Sequence, residues 1–121
     1  MGRKKVYYDH ELPRGVVAIA VAVISDYERR KKEIERGTLC KPLLLTYKRY
    51  NDIVERAIVN VEENAREEFI SDISHGRGYR YSLLNAYYTS RSYYARKSLI
   101  IFKVAAEMGL TLEKINVCQK D

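Results

Sequence analysis

Disulfide scaffolding, membrane crossing and metal-dependent catalysis each need residues that this chain largely lacks. Its 121 residues include two cysteines, two histidines, two prolines and six glycines. Cys40 and Cys118 show neither CxxC spacing nor paired histidines, so reduced thiols in a cytoplasmic protein are expected. His10 and His75 lie far apart, and neither a nucleophile–base–acid set nor an HExxH motif occurs. The carboxylates Glu55, Glu62, Glu63, Glu67 and Glu68 could suggest a metal bundle, but Glu-x-x-His is missing. They read as a solvated helix face. Catalysis is not expected, and no cofactor is implied. The apolar run Val16 to Ile24 is about half the length of a membrane-spanning helix and reads as buried core. The basic start "MGRKKVYYDHELPRG" is not followed by the apolar region and small-residue cleavage site of a signal peptide.

Scarcity of proline and glycine leaves long uninterrupted helical patterns, and the length suits one domain. Apolar residues make up 46% and charged residues 31%, a composition that folds and stays soluble. Val16, Val17, Ala20, Val23, Ile24, Tyr27 and Ile34 recur at three- and four-residue steps. This predicts a first helix from Pro13 to Gly37. Its second half, including Arg29-Arg30-Lys31-Lys32, reads as a solvated surface with interleaved glutamates. A second helix is predicted from Lys41-Pro42 to Ile73, with a stripe through Leu43, Tyr47, Tyr50, Val54, Ala57, Ile58, Val61, Ala65, Phe69 and Asp72 or Ile73. The fold class expected is all-α: a long helical hairpin over 14–73, a helix-turn-helix-like unit over 74–110 and a tail over 111–121. A coiled-coil homodimer is the alternative for the long stripe.

"SHGRGYRYS", Ser74 to Ser82, reads as a connector and matches neither GxxxxGK[ST] nor GxGxxG. A short helix near Ser82 to Tyr88 and a last helix to Met108 follow, with Thr89 or Ser90 as its cap and Gly109 as its stop. The charge is distributed unevenly. Residues 37–72 hold five basic and seven acidic side chains, whereas 73–106 hold six basic ones and no carboxylate, within a net charge of +6. Such a field draws polyanions.

On a helical wheel Tyr93, Tyr94, Ile100, Ile101, Val104, Ala105 and Met108 share one side, leaving Arg91, Ser92, Ala95, Arg96 and Lys103 elsewhere. Short helix, turn and longer basic helix is the helix-turn-helix arrangement. Arg91, Ser92 and Arg96 are the candidate contacts to base edges or phosphate. Arg77, Arg80, Lys97 and Lys103 are the supporting phosphate contacts, with double-stranded DNA as the partner. Lys97 falls inside the apolar sector, while Leu99 and Phe102 fall outside it. A protein-interaction module using Leu99 or Phe102, and a single-strand binder stacking bases on Tyr87 or Tyr88, are the competing readings.

The stretch "YYTSRSYYARKSLIIFKVAAEMGL", Tyr87 to Leu110, resembles the recognition-helix region of small phage-type late transcription regulators of the RinA and ArpU kind. Their C-terminal part is similar to region four of sigma factors. The helical segment "YNDIVERAIVNVEENAREEFISDI" sits where those proteins carry a helix before the DNA-binding unit. The resemblance implies a helix-turn-helix activator at a phage or prophage promoter, with RNA polymerase as a further partner. The short aromatic "SLLNAYYTS" departs from the family's first helix.

Overall fold

The computed structural model describes residues 12–111. Their regular structure is helical throughout, with no strand among the described residues. Five α-helices follow in order: α1 Arg14–Ser25, α2 Tyr27–Arg36, α3 Lys41–Ile58, α4 Arg66–His75 and α5 Ser90–Glu107. Single 3-10 turns stand at Glu63–Ala65, Tyr79–Tyr81 and Leu83–Ala86.

Both arms of the expected hairpin are broken. The first bends at Asp26, whose carboxylate accepts two hydrogen bonds from Arg29 at 2.8 and 2.6 Å. This bend lets α1 pack on α4 and α5 while α2 packs on α3. Gly37 then ends α2 with φ +76°, the left-handed conformation that glycine adopts without a Cβ clash. The second arm stops at Ile58 and resumes at Arg66, with neither proline nor glycine between them. Arg66 stabilises the break by donating to the carbonyls of Val61 at 3.0 Å and Val59 at 3.3 Å, groups that a continuous helix would have bonded internally. Burial on the stripe survives the break, since Val54, Ala57, Ile58, Val61, Ala65, Phe69, Asp72 and Ile73 are all buried, but towards the start of α3 Tyr47 and Tyr50 are only half-buried and Leu43 is exposed.

α5 packs on α1 and α3, so its residues share one core with the helices that precede it. Tyr93, Ile100, Val104 and Ala105 are fully buried beside Ile24, Val54 and Phe69. The C-terminal segment therefore belongs to the same packed body as the hairpin arms. Gly109 (φ +75°) closes α5, with the Leu110 N–H bonded to the Ala105 carbonyl at 2.9 Å. The tail expectation falls outside the described residues except at Thr111.

One member of the basic run expected in solvent is in the core. Arg30 is only 3% exposed. It donates to Asn51 Oδ1 at 2.6 Å and to the Val23 carbonyl at 2.5 Å, and its guanidinium lies 5.6 Å from the centre of the Tyr50 ring. Asp26 is its nearest carboxylate, at 3.7 Å. Burial lowers its pKa, opposed by Asp26. Arg30 thus ties the end of α1 and the start of α2 to α3. Arg30→Ala removes this packing and strands the Asn51 and Val23 acceptors, so a loss of about 2–3 kcal/mol is expected in urea unfolding. Lys31→Ala, on the exposed face, should change stability by less than about 0.5 kcal/mol.

Candidate nucleic-acid interface

The segment between α4 and α5 is held from below by a carboxylate that sequence reasoning left as an ordinary stripe position. Gly76, with φ +66°, ends α4, and the Arg77 N–H turns back to the Asp72 carbonyl at 2.8 Å. This brings the Arg77 guanidinium to Asp72 Oδ1 at 2.8 Å, with Glu68 3.6 Å away. The other Asp72 oxygen accepts the Ser82 hydroxyl at 2.5 Å and the Tyr93 phenol at 2.8 Å. Ser82 Oγ in turn accepts the Leu84 N–H at 3.0 Å, which starts the last 3-10 turn. Asp72 is fully buried, so these bonds replace the water that a carboxylate would otherwise hold.

Tyrosine hydroxyls extend the network. The Tyr79 N–H donates to the Tyr94 hydroxyl at 3.0 Å, and the Tyr79 hydroxyl donates to the Tyr88 and Asn85 carbonyls at 2.5 and 3.1 Å. A Cβ at Gly78 would lie 3.0 Å from the Tyr94 hydroxyl, a tight contact that would push that hydroxyl back by a few tenths of an ångström. The Tyr93 ring stacks on Phe69 at 5.4 Å between centroids and meets Tyr94 edge-on at 5.0 Å. Residues 77–88 are consequently bound to α4 and α5 despite containing only short turns.

These bonds decide which predicted contacts face outward. Lys97 turns inward, donating to the Arg77 carbonyl at 2.7 Å beside the rings of Tyr93 and Tyr94. Burial holds its pKa below the ordinary lysine value, a shift that Asp72 opposes. Arg77 is occupied by Asp72. Arg96 lies over the Tyr88 ring at 4.9 Å, donates to the Ser92 hydroxyl and stands 3.6 Å from Glu62. Its Nε is buried without a hydrogen-bond partner. Tyr88 donates to Glu62, and burial together with this carboxylate pushes its phenol up to about 12. Ser92 and Lys103 are half-buried.

Arg91 and Arg80 remain as the exposed cations of the predicted set. Arg91 stands in the first turn of α5, which contains no acidic residue, and Arg80 packs over the Tyr81 ring at 5.9 Å. Thr89 caps the helix by accepting the Ser92 N–H at 3.1 Å. The helix expected before this turn is instead one 3-10 turn, Leu83–Ala86. It is short because Ser82 and Leu84 are buried while their neighbours face solvent, an alternation that one helical face cannot supply. Nor does α5 present a full recognition face, since beyond Ser90 and Arg91 every residue to Met108 is buried or half-buried. Phe102 is buried and Leu99 half-buried, so neither forms the open apolar contact expected of an interaction module.

Sequence reasoning missed Asp72, Ser82 and Glu62 as organising residues. The available signal was a carboxylate falling on an apolar stripe just before a carboxylate-free, basic segment. Among the described residues no cluster of histidine, cysteine, aspartate and glutamate could hold a metal, and no helix is long and apolar enough to cross a membrane. Comparison of the chain with protein-family models, curated proteins and solved structures finds no match.

Proposed function

We propose that the chain binds duplex DNA in transcriptional control through the edge formed by the first turn of α5 and the Tyr79–Tyr81 turn. The observation that carries this reading is the conjunction of a carboxylate-free stretch, 73–106, with two exposed arginines, Arg91 in the first turn of an 18-residue helix and Arg80 in the Tyr79–Tyr81 turn that contacts that helix. The helix dipole at the N-terminal end favours phosphate, and the two guanidiniums add point contacts to it. Arg96 and Lys97 act as positioning residues in this reading. Arg96 fixes Ser92 against the capped turn, and Lys97 fixes the Arg77 carbonyl beneath it.

Fluorescence anisotropy on random duplex and single-stranded DNA across a salt series tests the proposal. Duplex affinity should fall linearly in log salt. Arg80→Ala/Arg91→Ala should weaken it by about tenfold or more at low salt and reduce the slope by about 1 for each phosphate contact removed. Lys31→Ala/Lys32→Ala, on the exposed side of α2, should leave it nearly unchanged. Preferential binding of single strands, lost on replacing Tyr81 and Tyr87, would instead indicate a stacking platform. Absence of binding to either form at low salt would end the nucleic-acid reading.

A further inference from the structure

Three of the large apolar side chains most open to solvent lie within seven residues: Tyr81 is 73% exposed, Leu83 75% and Tyr87 81%. Loose backbone does not account for this, because the alternating neighbours Ser82 and Leu84 are buried and bonded below. The segment therefore holds its apolar groups outward in a fixed arrangement. Rigid presentation lowers the ordering cost of binding, and exposed tyrosine with leucine is the composition of an interface centre.

Tyr87 borders two adjoining clefts of about 440 and about 700 Å³. Leu84 and Asn64 line both. Around this apolar floor the charged groups are all carboxylates: Glu62 in the smaller cleft, Glu67 and Glu68 in the larger. No lysine or arginine lines either one, on a chain whose net charge is +6. Glu62 bonds Tyr88 and stands 3.6 Å from Arg96, and Glu68 stands 3.6 Å from Arg77, but exposed Glu67 meets no cation among the described residues.

We infer that the groove around Tyr87 docks a basic amphipathic segment of another protein, its apolar side chains against Leu83, Leu84 and Tyr87 and its lysines or arginines against Glu67. Charge complementarity selects this occupant. A phosphate backbone would meet three carboxylates here, whereas a cationic helix meets opposite charge around an apolar floor. Tyr87 can also receive a lysine or arginine over its ring. The groove is thus suited to a protein partner, and its chemistry differs from that of the Arg80 and Arg91 edge.

The probe is a fluorescein-labelled amphipathic helical peptide built from leucine and lysine, titrated with the full chain, with a leucine–glutamate peptide of the same pattern as control. The leucine–lysine peptide should bind and the control should not. Leu83→Ser/Tyr87→Ser and, separately, Glu67→Lys should each weaken binding by about tenfold or more, with unchanged circular dichroism spectra. Glu67 is exposed, so its reversal tests the charge term without touching the core. Equal affinity for both peptides, equal affinity of wild type and variants, or no binding at all would overturn the assignment. A dimer seen by sedimentation and lost in the Leu83→Ser/Tyr87→Ser variant would also overturn it, since the occupant would then be a second copy. Duplex affinity measured in parallel depends on Arg80 and Arg91, so failure here is separable from failure of the DNA reading.

Discussion

Asp72→Ala is expected to destabilise the chain by about 3–5 kcal/mol, the cost typical of removing one partner from a buried, charge-assisted network. Its carboxylate accepts from Arg77, Ser82 and Tyr93 at 2.8, 2.5 and 2.8 Å, and alanine strands the Ser82 hydroxyl and leaves Arg77 and Tyr93 only their longer bonds, to Ser71 Oγ and the Arg77 carbonyl at 3.3 Å each. A domain of this size has a total stability of about 5–15 kcal/mol, so much of the margin would disappear. Asp72→Asn keeps the shape and an oxygen for Ser82 and Tyr93 but sets an NH2 group against the Arg77 guanidinium. A smaller loss of about 1.5–3 kcal/mol follows from the charged hydrogen bond that it forfeits. Urea unfolding followed by far-UV circular dichroism should place the variants in the order wild type, Asp72→Asn, Asp72→Ala. Near-wild-type stability of Asp72→Ala would show that the network does not hold the fold.

The same substitution connects stability to the proposed surfaces. Leu84 N–H is bonded to Ser82 Oγ, and Ser82 is held by Asp72, so the turn that carries Leu83 and Tyr87 hangs from this carboxylate. Hydrogen exchange at the Leu84 amide should accelerate in Asp72→Ala, which removes the acceptor of Ser82, by more than its lower global stability accounts for. Peptide docking should then weaken although no groove residue has changed. An intact groove affinity with fast exchange at this amide would separate the network from the surface above it.

Helical class and core membership were legible in the sequence because both rest on hydrophobic period. Phe69, Tyr93, Ile100 and Val104 lie where three- and four-residue spacing places them. The helix breaks were not legible in the same way. Asp26 and the 59–65 bend carry no glycine or proline, and each is stabilised by an arginine from the following turn, Arg29 or Arg66, whose target depends on tertiary packing. The inward turns of Arg77, Arg96 and Lys97 escaped for a related reason. Residue type identifies a cation, but only the partners brought near it decide whether it faces solvent. Lys97 came nearest to being read correctly, since its place in the apolar sector signalled a buried stem, and its ammonium does find a carbonyl there.

Buried phenols give the chain a steep alkaline limit. Burial, followed by the Asp72 hydrogen bond, raises the Tyr93 pKa; burial and the Glu55 hydrogen bond at 2.7 Å do the same for Tyr27. Tyr88 is pushed up to about 12 by burial and Glu62. In the unfolded chain all three lose their protons near pH 10. Above that pH the folded state binds more protons than the unfolded state, so stability falls as pH rises, at up to about 1.4 kcal/mol per pH unit for each fully shifted phenol. Tyr88 is partly solvated and contributes less, which leaves about 2.7 kcal/mol per unit from Tyr27 and Tyr93 combined. Lys97 has the opposite sign. Its lowered pKa means that the fold binds fewer protons than the unfolded chain below about pH 10.4, so its penalty is relieved as pH rises towards that value and adds nothing further beyond it. Urea titrations between pH 8 and pH 11.5 should therefore show stability level or slightly rising to about pH 10, then dropping steeply through the window in which the free phenols ionise. Tyr93→Phe removes one of the two dominant phenols and should reduce the slope of the decline by about half, even though it lowers stability at neutral pH through the lost Asp72 bond. Flat stability through pH 11, or a slope unchanged by Tyr93→Phe, would mean that Tyr93 ionises in the fold as readily as in water. The hydrogen bond to Asp72 would then not be what holds the Tyr93 proton beneath the segment that presents Leu83 and Tyr87.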